Sequence, residues 1–101
     1  MNPRLEHDEF AKHLNSKFQI RIDESQTVES ELVEVSELLV SPRQERFSIL
    51  FRTSNDVYLE QGLRPLEHDV MGQFELFLVP VGRDQDGTCY EAVFNRLTKK
   101  N

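Results

Sequence analysis

The residues with the widest chemical reach in this chain are its three histidines, its single cysteine and the carboxylates beside them. Glu67-His68-Asp69 sets an imidazole between two carboxylates, the raw material of general-base catalysis or metal binding. Adjacent residues of an extended chain point to opposite faces, so these converge only in a special turn, and spacing assigns them no nucleophile. They read as a surface loop leading into a strand at Phe74. Cys89 beside Tyr90 in an alternating segment acts as a small apolar group, unless His68 approaches it in space and makes a thiolate, which spacing leaves open. Glu67, His68 and Cys89 are therefore the polar candidates.

Two further clusters have simpler explanations. His7 and His13, among Glu6, Asp8 and Glu9, lie six apart rather than at the i, i+4 spacing of a zinc helix, and suit a solvated helix face. Asp84-Gln85-Asp86-Gly87 begins like a calcium loop but lacks the bidentate Glu at its twelfth position, and turn chemistry accounts for each residue. There is no Walker loop, GxGxxG, GxSxG or CxxC. The sequence thus assigns no catalytic residue, no metal and no cofactor, and the expectation is a protein that is not an enzyme.

Composition narrows the partners. Twelve Lys plus Arg against eighteen Asp plus Glu give a net charge of -6, which repels phosphate backbones and anionic lipid surfaces. Nucleic acid is disfavoured, and would require Arg43, Arg46, Arg52 and Arg64 to share one face. One cysteine precludes an intrachain disulfide and favours a reducing compartment. No run approaches the ~20 apolar residues of a membrane span, and the expected location is cytoplasmic.

The elements that must position these groups follow from hydrophobic period. At 101 residues the chain reads as a single domain, 1–101, able to bury about 65% of its unfolded surface. Asn2-Pro3 suits the opening of a helix over about 5–14, docked by Phe10 and Leu14. Period two then sets in at Phe18, Ile20 and Ile22, giving a strand over about 18–23. Val28, Val33, Val35 and Val40 place a strand over about 30–40, although Leu32, Val35 and Leu39 also fit a helix. After a turn at Ser41-Pro42, Phe47, Ile49 and Phe51 mark a strand over about 46–53. Gly62 and Pro65 make the next stretch irregular or edge-like.

Strands over about 73–81 and 88–97, joined by a loop from Gly82 to Gly87, complete the chain. The first has Phe74, Leu76, Leu78 and Pro80 on one side and Phe77, Val79 and Val81 on the other, so it predicts cover on both faces. Pro80 belongs where its ladder ends or bulges. The expected fold is mainly β (α+β): a short N-terminal helix and about five antiparallel strands in a small, strongly bent barrel. That order is similar to the Sm-like or SH3-like arrangement, without the RNA-binding motifs of Sm proteins, so the likeness carries no function.

Gln61-Gly62, Leu66-Glu67-His68, Gly72, the run from Phe74 to Gly82, and Tyr90-Glu91-Ala92-Val93-Phe94-Asn95 resemble a family of small uncharacterised bacterial domains. The segment from Phe10 to Phe18 and that from Leu32 to Phe51 resemble it more loosely. The resemblance implies a compact β domain and transfers no activity and no catalytic residue. The function expected from the residues is a protein-interaction or assembly module, binding a partner protein or a second copy through Phe77, Val79 and Val81.

Overall fold

The computed structural model describes residues 6–54 and 56–97. Asn2-Pro3, the Leu5 start of the expected helix, Asn55 and Lys99-Lys100 lie outside the described residues. Helix α1, His7–Lys12, is followed by strands β1 Lys17–Arg21, β2 Thr27–Val35, β3 Leu39–Ser41, β4 Gln44–Thr53, β5 Gly62–His68, β6 Gly72–Asp84 and β7 Gly87–Leu97. Each ladder is antiparallel. The order β2-β1-β5-β6-β7-β4 closes into a barrel when β4 pairs with β2, and β3 extends the far end of β4. No helix among the described residues is long and apolar enough to cross a membrane.

The period-two residues supply the interior. Phe18 and Ile20, Leu32, Phe47, Ile49 and Phe51, Leu66, Leu76 and Leu78, and Tyr90 and Ala92 are all buried. Burying side chains of this size contributes about 1.5–3 kcal/mol each against the entropy of ordering them. Buried Tyr90 also accepts the Leu59 N–H at 2.8 Å through its hydroxyl, which ties the connection before β5 to the core.

Four expectations are corrected. The segment from 28 to 40 is two strands, broken at Ser36, Glu37 and Leu38. Ser36 bonds Ser48 by N–H to O at 2.9 Å and receives the Ser48 N–H on its Oγ at 2.8 Å, while His7 Nε2 donates to the Ser36 carbonyl at 2.7 Å. Those side-chain bonds compete with a continuous ladder. The helix is shorter than expected: Asn15, with φ of 71°, ends the turn after it and donates to Leu32 O at 2.7 Å. Phe10 is its buried anchor, while Leu14 is 43% exposed.

The irregular stretch around Pro65 is strand β5. Pro65 lies next to the end of the short β1 ladder, which joins β5 only through Leu66 and Glu67, and a missing N–H is tolerated at such an edge. The last hairpin is tighter than the expected Gly82 to Gly87 loop, since β6 continues to Asp84 and only Gln85 and Asp86 lie between the strands. Gly87 is required there: φ is +142°, and a Cβ would lie 1.9 Å from the Thr53 carbonyl oxygen. The β6–β7 ladder shifts register between Pro80 and Gly82, where the proline suits a bulge.

β6 changes partner along its length. Gly72–Leu78 pairs with β5, whereas Val79 onward pairs with β7, leaving the lower parts of β6 and β7 without a shared ladder. Phe10 converges with the rings from both sides of that split, 6.0 Å from Phe74 and 5.4 Å from Phe94, with Phe47 at 6.3 Å. Phe10→Ala should therefore cost about 3–5 kcal/mol of unfolding free energy, read from urea denaturation. Gly87→Ala should cost ~2–4 kcal/mol through strain and displacement of β4, with an unchanged far-ultraviolet spectrum.

Candidate functional site

The polar candidates separate in space. His68 is not in a surface loop: it is the last residue of β5, turned inward and 7% exposed, while Glu67 and Asp69 are exposed. Alternation along the strand sends neighbours to opposite faces, so the triplet does not converge. Cys89 pairs with Arg52 and Gly82, whereas His68 pairs with Gly72. The two thus occupy opposite ends of β6, about 30 Å apart along the extended chain.

What surrounds His68 defines its protonation. Its Nδ1 accepts the Val70 N–H at 3.0 Å and the Met71 N–H at 3.1 Å, closing the turn from β5 to β6. Nδ1 is therefore the unprotonated nitrogen, and Nε2–H faces Ser16 Oγ at 3.0 Å. The Ser16 hydroxyl donates onward to the His13 carbonyl at 2.6 Å. This polarity is the reverse of an activated serine, in which the imidazole would accept the hydroxyl proton. Burial lowers the His68 pKa from the ordinary 6.5, the nearby His13 lowers it further, and Asp69 opposes both. His13 lies tilted against His68 at 4.5 Å and Phe18 lies at 4.3 Å, so the ring is both a turn lock and part of the core. Sequence gave no sign of Ser16 and His13 at this position, because they arrive from the end of α1, 52 and 55 positions away in the chain.

The other clusters are local. Asp84 Oδ1 accepts the Asp86 N–H at 2.8 Å, which is turn chemistry. His7 bonds Ser36 and meets Phe47 edge-on at 5.2 Å, away from His13 and His68. Of the arginines, Arg46 and Arg52 lie on the outer side of β4, while Arg64 turns to donate to Glu60 O at 2.7 Å. Arg46 and Arg52 thus share β4, whereas Arg64 lies on β5, three strands away in the sheet order.

The outer face of β5, β6 and β7 is different. The alternation of β6 predicts cover on both sides, yet α1 docks at the β6–β7 split and no described element covers this face. Phe77 is 52% exposed and Val81 51%, with Val79 half-buried. Register adds residues that sequence did not single out. Leu63, directly opposite Phe77, is 62% exposed, and Val93, two positions beyond the Val79–Glu91 pair on β7, is 54% exposed. Leu63 was hidden because β5 itself was read as irregular. The patch borders a depression of about 300 Å3 on the outside of β1, β5 and β6, lined by Gln19, Pro65, Glu67, Gln73 and Glu75 among others.

The His68 geometry sets a pH dependence. Its neutral form is favoured by folding, so its contribution is complete above the unfolded value of 6.5 and is lost as pH falls through the lowered folded value. Wild-type urea midpoints should fall between pH 7.5 and 5.5 more than those of His68→Asn, whose amide oxygen keeps the Nδ1 acceptor without titrating. His68→Ala should cost about 2–3 kcal/mol at the higher pH.

No curated protein and no solved structure matches this chain. A family model described as a domain of unknown function, DUF6916, matches residues 5–94, so the chain belongs to that family.

Proposed function

We propose that this protein is a non-enzymatic interaction or assembly module whose contact face is the outer surface of β5, β6 and β7 around Phe77, Val79 and Val81. The observation that carries this reading is that exposed Leu63 and Phe77 face one another across the β5–β6 ladder, with exposed Val81 farther along β6 and exposed Val93 on β7. Single exposed apolar residues are ordinary on a soluble domain, whereas a joined set rimmed by polar groups marks a binding surface. Phe77 is the natural anchor, because aromatic side chains supply large contact area at low entropic cost.

The chemistry at His68 supports the same reading. Its two nitrogens are committed to a turn and to a hydroxyl that already donates elsewhere, so neither is free to take a proton from a substrate. Cys89 has Arg52 and Gly82 as its cross-strand neighbours, and His68 is at the other end of β6.

Phe77→Ser should fold normally, since the side chain is half exposed, and should lose a partner or copy that the wild type retains. Tagged wild type and Phe77→Ser purified from the native cell, followed by sedimentation of each complex, provide the measurement. Identical associated proteins and identical sedimentation for both would overturn the assignment.

A further inference from the structure

Carboxylates outnumber cations around Phe77 and the depression beside it, where Arg21 faces Glu67 and Glu75. Glu75 lies two residues from Phe77 on the same side of β6, Glu91 is directly opposite Val79, and Glu67 is opposite Gln73. None of these three carboxylates has a hydrogen-bond or ion-pair partner among the described residues. Neither nearby cation pairs with them: Arg21 lines the same depression but directs its guanidinium to Asp23 O and Glu24 O of its own hairpin, and Arg64 donates to Glu60 O.

This charge pattern selects among occupants. A two-fold pairing of this face with itself would set apolar patch on apolar patch and bring carboxylates from both copies together, with the net charge of -6 on each chain adding repulsion. A partner that supplies cations meets the same surface without that cost. Main-chain groups point the same way. Gly72–Leu78 has a ladder only toward β5, and Ala92–Leu97 only toward β4, so unpaired strand edges border the patch. An extended segment can use such edges, whereas a helix has no free backbone groups to offer them.

We infer that this face receives an extended segment of a partner protein that is both apolar and cationic. Its Arg or Lys sits in the depression against Glu67 and Glu75, and apolar side chains at alternate positions lie over Leu63, Phe77 and Val79. Glu75 and Phe77 are about 7 Å apart along β6, which matches the repeat of same-face residues in a strand. The inference rests on the interaction surface proposed above and adds the chemistry of its occupant.

The test uses short acetylated and amidated peptides of alternating Val and Thr, identical except for Arg or Glu placed two positions before the first Val. Each is titrated into the isotope-labelled full chain and followed by amide chemical shifts. The Arg peptide should shift Glu75, Phe77, Val79 and Glu91, bind about tenfold more tightly than the Glu peptide, and weaken with added salt. Glu67→Gln with Glu75→Gln should reduce its affinity about fivefold. Equal affinity of both peptides, shifts centred elsewhere, or no binding would overturn the inference. If the peptides fail but Phe77→Ser still strips a native partner, the interaction surface stands and only the occupant's chemistry falls. If Phe77→Ser alters neither, both readings fall.

Discussion

The barrel depends on β6 serving two neighbours in succession. A strand from Gly72 to Asp84 is longer than either neighbour needs, and it pairs with β5 as far as Leu78 before pairing with β7 from Val79. That transfer lets one chain curve around the core without a flat sheet, and the bulge near Pro80 and Gly82 supplies the extra bend. It also opens a split below the transfer point. The ring of Phe10 fills the inside of the split against Phe74 and Phe94, so a helix of six residues, too short to be stable alone, becomes part of the core.

The same geometry explains why the polar residues lack convergence. His68 ends β5 at one extreme of β6, and its ring is consumed by closing the turn and bonding Ser16. Cys89 lies toward the other extreme. An imidazole beside a serine resembles a catalytic pair until donors and acceptors are traced. Here the proton faces the serine, and the serine proton faces a carbonyl. The arrangement holds the end of α1 against the turn between β5 and β6.

With α1 spent on the split, no other described element covers the outside of β6. The apolar residues there adjoin carboxylates that have no partner among the described residues, and strand edges with ladders on one side only. Hydrophobic area, charge and unused backbone groups therefore coincide on one surface, and this coincidence distinguishes it from the scattered exposed residues elsewhere, such as Leu39 and Val70. The match to the DUF6916 family, over residues 5–94, covers almost the whole fold.

The sequence by itself determined the inner faces. Period two at Phe18 and Ile20, at Phe47, Ile49 and Phe51, and at Leu76 and Leu78 specifies which side of each strand is buried, because successive side chains alternate across a pleat. It also located the bulge at Pro80 and the polarity of the surface. Strand β5 was not legible, since Gly62 and Pro65 weaken every local signal and only the ladder with β6 stabilises it. Only the tertiary structure decided that Leu63 lies beside Phe77, that Ser16 meets His68, and that α1 leaves the outer face bare. Those facts are pairings between distant segments, set by register and barrel closure, and no local preference of the chain encodes them.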